Sequence, residues 1–237
     1  MLHSVVRMVL PRQCGLCDQL TDADFGLCPD CWATTDFVNG LVCDHCGVPQ
    51  MGEDETALCD ECLAEPRPWA AGRTVFGYSG GGRKLVLSLK HGDRQDLVPM
   101  LSAMLSRAAR PLLNDDTVIV PVPLHWTRLF RRRFNQSALL AVETGRILGR
   151  PVVVDGLAKV HRTRPTEGMS REARLAVQQG SIRPHPKNGC RMRGRSVLII
   201  DDVMTTGATL AAATEGARLA GAKQVCVLTL ARAYKET

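Results

Sequence analysis

The sequence predicts an α/β protein in which a mostly parallel sheet flanked by helices follows a small cysteine-rich module at the amino terminus. Two observations carry this expectation. From residue 73 onward short β-branched runs alternate with helical patterns, and eight of the ten cysteines fall before residue 63 as four CxxC pairs. Strand, helix, strand alternation closes into a parallel sheet with helices over its faces. A chain of 237 residues buries one full-sized core and still carries an appended module, so two units are expected.

Composition excludes several classes. Apolar residues are 45% of the chain and charged residues 23%, as in a globular protein, with no low-complexity tract or fixed repeat. The opening MLHSVVRMVLPRQCG is interrupted by Arg7 and lacks a small-residue cleavage site, so it does not read as a signal peptide. No apolar run approaches the roughly 20 residues needed to span a bilayer, so a cytoplasmic protein without membrane insertion is expected. The net charge of +6 favours anionic partners, phosphates or nucleic acid, without choosing between them.

The first module is residues 1–66. Its pairs are Cys14/Cys17, Cys28/Cys31, Cys43/Cys46 and Cys59/Cys62, each with the two-residue gap that turns both thiolates of a tight knuckle toward one tetrahedral zinc. Gly15, Pro29 and Gly47 supply the turns. Eight thiolates fill two sites and leave no open position for water or substrate, so two structural zinc ions are expected. Metal binding then supplies most of the folding free energy of a region with few large apolar residues. Sequential sharing of the pairs and a cross-braced arrangement both satisfy the spacing, and sequential sharing is the expectation. Residues 64–72, AEPRPWAAG, lack periodicity and read as a short linker.

The second unit, residues 67–237, opens with the strand pattern RTVFGYS and the helical spacing of Leu85 and Leu89. DLVPMLSAMLSRA, NQSALLAVETGRIL and ATLAAATEGARLA continue the helices, while TVIVPVP, PVVV, SVLII and QVCVLTLA continue the strands. Ligands gather at the carboxyl ends of parallel strands, which directs attention to the segments after VPVP and VLII.

Both are unusual. A strand apolar enough to be buried on both faces ends in Asp201 and Asp202, and two adjacent carboxylates beside a core are costly unless a cation or hydroxyl meets them. Sugar hydroxyls or a hydrated magnesium ion would do so. Val203 and Met204 lead into Thr205, Thr206, Gly207, Ala208 and Thr209, a turn of hydroxyls and amides at a helix amino terminus that suits a phosphate. Simple helix capping accounts for Thr206 or Thr209 but not for the paired acids.

VLIIDDVMTTGATL, residues 197–210, resembles the phosphoribosyl pyrophosphate (PRPP) motif of type I phosphoribosyltransferases. The resemblance implies that fold, with Asp201 and Asp202 on the ribose hydroxyls and residues 203–209 around the 5′-phosphate. The order of four CxxC pairs, YSGGGRKLVLSLKHGD, VPVPLHWTRLFRRRFNQSALLA and the PRPP motif is similar to the ComF (GntX-like) family of natural competence, over nearly the whole chain. That resemblance implies a pyrophosphate-side loop at Pro121, Val122, Pro123 and the residues after them. Arg132, Phe134, Asn135 and Gln136 match an RGFNQ pattern in which Arg133 replaces the glycine, and Lys90 matches an early LK pattern as a phosphate-facing charge. Residues 159–181 correspond to a mobile hood. There Thr163, Arg164, Ser170 and Arg174 fit the family pattern, while Thr166 and Val177 replace an expected glutamine and asparagine.

The resemblance implies magnesium-dependent transfer of phosphoribose from PRPP to a nitrogenous base. An alternative is a non-catalytic accessory protein that handles single-stranded DNA and uses the pocket for phosphorylated ligands. In a third reading the zinc module docks a protein of the competence machinery. The basic run Arg128, Arg131, Arg132, Arg133 lacks the interleaved aromatics of a single-strand groove, and Arg191, Arg193 and Arg195 read as solvated surface. His91, His125 and His161 lie near the site loops without an assigned role, Cys226 reads as a small core residue, and Cys190 has no partner.

Overall fold

The computed structural model describes residues 13–21, 26–52, 57–91, 94–127, 134–161 and 171–234. Two one-turn helices, α1 (Pro29–Ala33) and α2 (Asp60–Ala64), belong to the cysteine module. After them come β1 (Ala71–Gly77), α3 (Gly80–His91), α4 (Val98–Ala109), β2 (Val118–Pro121), α5 (Gln136–Leu148), β3 (Leu157–Lys159), α6 (Arg171–Gln178), β4 (Ile182–Pro184), β5 (Ser196–Met204), α7 (Ala208–Leu219) and β6 (Gln224–Arg232). Strands β1, β6, β5 and β2 lie side by side in that order, all parallel.

Alternation along the two central strands divides the core. Leu198, Ile200, Leu228 and Leu230 meet Leu85, Leu89, Leu101, Leu105 and Leu140 of α3, α4 and α5, while Val197, Ile199, Val225 and Val227 meet Leu210, Ala213 and Ala217 of α7. Successive strand side chains point to opposite faces, so a strand apolar at every position is covered on both. Cys226, 7% exposed, is part of that core, as its alternation with Val225 and Val227 predicts. The alanine surface of α7 lets the helix approach closely, and a Cβ at Gly216 would stand 3.2 Å from the Ile182 carbonyl.

Two elements depart from the sequence expectation. PVVV, residues 151–154, forms one parallel bridge between Val152 and Ile119 rather than a strand. Its Pro151 has no N–H to donate and a turn already begins at Val154, which leaves room for two ladder bonds, Ile119 N to Pro151 O and Val153 N to Ile119 O, both 2.9 Å. The three-residue strands β3 and β4, an antiparallel pair bracketing α6, are too short to show a period of two.

Both halves of the cysteine module are packed against the sheet domain. Cys14 and Cys28 join the core cluster under α3 and α4, and Cys43, Cys46 and Cys62 join the one under α7. Phe37 bridges Phe76 of β1, and backbone bonds run from Val38 N to Val75 O, Gly72 N to Asp44 O and Gly77 N to Asp36 O. A Cβ at Gly72 would lie 2.4 Å from the His45 carbonyl, so the Cys43/Cys46 knuckle rests directly on β1. The connecting segment is itself anchored: Trp69 is 2% exposed and donates its indole N–H to His45 O. Among the described residues no helix is long and apolar enough to cross a membrane.

Candidate active site and zinc centres

The site lies where β5 ends and α7 begins. Asp201 and Asp202 occupy the last turns of pleat before Val203 and Met204, and each has a partner from a different helix. Ser137, in the first turn of α5, donates its hydroxyl to Asp201 Oδ1 at 2.9 Å, and the same oxygen accepts the Asp202 amide at 2.9 Å. Lys90, near the end of α3, places Nζ 3.1 Å from Asp202 Oδ1. Burial, then repulsion from Asp202, lifts the Asp201 carboxyl to about 7, although Lys90 and the Ser137 hydrogen bond pull it down.

Asn135 holds this arrangement together. Its side chain caps α5 by accepting from Ser137 N at 3.1 Å and donates from Nδ2 to Val122 O at 3.0 Å. Gln136 donates to the Lys90 carbonyl at 3.4 Å, so the FNQS segment touches the loop after β2, the end of α3 and the acid pair together. Val122 also donates its N–H to Ile200 O at 2.9 Å, and Pro121 and Pro123 have no N–H to offer. Backbone donors for a ligand on this side therefore come from beyond Pro123.

The loop after Met204 turns on Gly207, whose φ of 82° is left-handed backbone that favours glycine. Thr206 Oγ1 accepts from Ala208 N at 3.4 Å. Asp201, Val203, Met204, Thr205, Thr206, Gly207, Ala208 and Thr209 line one open concavity, together with Gln178 at the end of α6. Gln178 accepts from Lys159 Nζ and Ser181 Oγ, both at 3.1 Å, which fixes its side chain between the ends of β3 and α6.

Several sequence-selected residues lie elsewhere. Arg128, Arg131, Arg132 and Arg133 fall outside the described residues, as do Thr163, Arg164, Thr166 and Ser170 and the side chains of His91 and Arg174. His125 is buried with Nδ1 2.9 Å from Thr127 Oγ1, and His161 is exposed. Sequence reading missed Ser137 and Gln178. The first sits inside the NQSALLA pattern beside residues that were noticed, and the second carries no short signature.

The cysteines gather sequentially, Cys14, Cys17, Cys28 and Cys31 in one cluster and Cys43, Cys46, Cys59 and Cys62 in another, with the sulfurs of each within 4.8 Å of one another. Thiolates at about 2.3 Å from a tetrahedral zinc stand roughly 3.8 Å apart. Cys17 Sγ and Cys28 Sγ are 3.6 Å apart, as are those of Cys46 and Cys59, so both clusters fit the ion. Without a cation the thiols compete: the hydrogen bond between Cys43 and Cys46 lowers Cys43 to about 4 and pushes Cys46 up, burial adding to the rise. Backbone N–H groups of Leu16 and Cys28 point at Cys14 Sγ at 3.5 and 3.3 Å, as in a zinc knuckle.

Fold and site together define a phosphoribosyltransferase-type α/β protein with a zinc-binding double ribbon at its amino terminus. Residues 5–68 match the family described as double zinc ribbon domain, and residues 135–237 the family described as phosphoribosyl transferase domain. The chain is 31% identical over 225 residues to the DNA utilization protein YhgH of Escherichia coli strain K12, covering 92% of this chain and 89% of that one. It is 26% identical over 198 residues to the competence protein ComFC of Bacillus subtilis strain 168, covering 81% and 77%. The structure of an allosteric regulatory enzyme of purine biosynthesis aligns with a TM-score of 0.41 and 18% identity over 61% of this chain and 30% of that one. The chain belongs to the ComF family, in which a double zinc ribbon precedes a phosphoribosyltransferase domain.

Proposed function

We propose that this protein binds PRPP and transfers its phosphoribosyl group to a nitrogenous base. The observation that carries the reading is the acid pair at the carboxyl end of β5, running without interruption into the loop that opens α7. Asp201 and Asp202 accept hydrogen bonds from the ribose hydroxyls, and Thr205, Thr206, Gly207, Ala208 and Thr209 surround the 5′-phosphate, with Val203 and Met204 shaping the floor. The diphosphate lies toward Pro121, Val122, Pro123 and the basic run that includes Arg132, with Lys90 and Asn135 beside it.

Two carboxylates against the one paired amine of Lys90, with Asp201 held near 7, leave room for further positive charge, which fits a magnesium ion near Asp201 and Asp202. Magnesium bound with the diphosphate would neutralise charge on the leaving group. The C1 to oxygen bond breaks, diphosphate departs, and the base nitrogen forms the new bond to C1. Positioning and electrostatics do this work without a nucleophilic side chain.

Calorimetric titration of PRPP and magnesium into the zinc-loaded protein tests the reading. Saturable binding that disappears in Asp201→Asn/Asp202→Asn is the expected outcome, and no heat in the wild type would overturn it.

A second reading is supported by the relatives' names, DNA utilization and competence, and by the net charge of +6: the pocket receives the phosphorylated end of single-stranded DNA. Displacement of a fluorescent 5′-phosphorylated oligonucleotide by PRPP would favour it, whereas equal binding of the oligonucleotide without its 5′-phosphate would count against it.

A further inference from the structure

The second cysteine cluster and the proposed phosphate loop are joined by two buried arginines. The Arg67 side chain is 4% exposed, and its three nitrogens reach three different groups. Nε donates to Cys62 Sγ at 3.3 Å, Nη2 pairs with Glu61 Oε1 at 2.9 Å, and Nη1 donates to the Thr206 carbonyl at 2.9 Å. Arg232, 3% exposed, pairs with the other oxygen of the same carboxylate, Glu61 Oε2, at 2.6 Å, and donates from Nη1 to the Thr205 carbonyl. Glu61 thus holds two cations that each grip a consecutive carbonyl of the loop. The Trp69 ring fills the space beneath, 3.0 Å from where a Cβ of Gly207 would be.

The geometry has a direct effect on the loop. In a planar trans peptide the N–H points opposite to the preceding C=O. Drawing the Thr205 and Thr206 carbonyls toward the arginines turns the N–H groups of Thr206 and Gly207 away from them, and both residues line the concavity. Successive amides aimed into one hollow make an anion site.

We propose that Arg67, Glu61 and Arg232 are positioning residues through which the second zinc site holds the phosphate loop in its anion-binding form. The idea rests on the reading of that loop as a phosphate site. Glu61 lies between the ligands Cys59 and Cys62 on α2, a single turn that Cys59 precedes and Cys62 belongs to, and a turn that short has no stability of its own in water. Zinc on Cys59 and Cys62 holds the turn, the turn holds Glu61, and Glu61 with Cys62 holds the arginines. Coupling of this kind is reciprocal, so a ligand in the loop must also tighten zinc binding at that cluster, and slower release of that ion is the expected sign of it. The first cluster, Cys14, Cys17, Cys28 and Cys31, has no such link among the described contacts and serves as the internal control.

The test uses the full chain loaded with two zinc ions. Release of each ion into a chromogenic chelator is followed with and without saturating PRPP and magnesium, and PRPP affinity is measured for wild type, Arg67→Gln, Arg67→Lys and Glu61→Gln. The expected result is that PRPP slows release of one ion by about tenfold and leaves the other unchanged, and that Arg67→Gln abolishes this protection and weakens PRPP about tenfold. Arg67→Lys restores part of both. Glu61→Gln, at a side chain 39% exposed, keeps the fold measurable if Arg67→Gln does not. Wild-type protection of both ions or of neither, or variants that bind PRPP as the wild type does, would overturn the proposal and leave the phosphoribosyl reading standing. No PRPP binding by the wild type would overturn both.

Discussion

The Ser137 hydroxyl stands 2.9 Å from Asp201 Oδ1 and fastens the first turn of α5 to the end of β5. Ser137→Ala leaves that oxygen with the Asp202 amide as its remaining donor and moves the carboxyl further up. A lost hydrogen bond to a charged group is worth about 1.5–3 kcal/mol. The expected outcome is PRPP binding weakened at least tenfold with an unchanged circular dichroism spectrum, measured by calorimetry at pH 7.5.

Asp201 makes the ligand-free protein less stable as pH rises. Its folded carboxyl holds a proton up to about 7, while the unfolded chain gives it up near the ordinary carboxylate value. Its penalty is absent below the ordinary carboxylate range, grows as pH rises toward 7, and is constant above. Asp201→Asn removes the penalty. Thermal melts are expected to show the variant more stable than wild type by on the order of 1–3 kcal/mol at pH 8, with a clearly smaller gap at pH 4.5. An unchanged difference across that range would show that the carboxyl is not displaced.

Gly207→Ala should damage the loop in two ways. It places a Cβ at a φ of 82° and 3.0 Å from the Trp69 ring, which sits in a tightly packed pocket. A loss of roughly 1–2 kcal/mol of stability is expected from the strained backbone. PRPP binding should fall more than tenfold, and a melting temperature equal to wild type would contradict the packing described.

Removal of zinc should affect the whole chain. Cys14 and Cys28 belong to one half of the core and Cys43, Cys46 and Cys62 to the other. Dialysis against a chelator is therefore expected to lower the single cooperative melt of the entire protein rather than release one early transition. Two separate transitions in calorimetry would show that the ribbons unfold independently. Acid should act in the same direction, because protons compete with zinc for thiolates.

What could be read from the sequence was local. Four CxxC pairs and DDVMTTGATL each place their chemistry within a few residues, so spacing alone picks out thiolate clusters and an acid pair before a hydroxyl-rich turn. The central strands were equally legible, because burial on both faces demands an unbroken aliphatic run such as 197–200. Contacts between distant segments were not. Ser137 lies 64 residues from Asp201, Arg67 lies 139 from Thr206 and Arg232 lies 171 from Glu61, and an isolated arginine or serine carries no pattern that names its partner. Residues 64–72 lack periodicity as a loose connector would, yet Arg67 and Trp69 are anchored there by single contacts that periodicity does not register.

Strand β1 ends the sheet, with β6 on one side and the ribbons on the other. Phe37, Val38, Asp36 and Asp44 take up backbone groups that would otherwise face solvent as a ready template for pairing with another molecule. The cysteine-bearing segment is thus a cover that keeps the sheet from growing at β1 by edge-to-edge addition. A fragment trimmed to begin after the cysteines would carry an uncapped strand and should self-associate, however intact its own core.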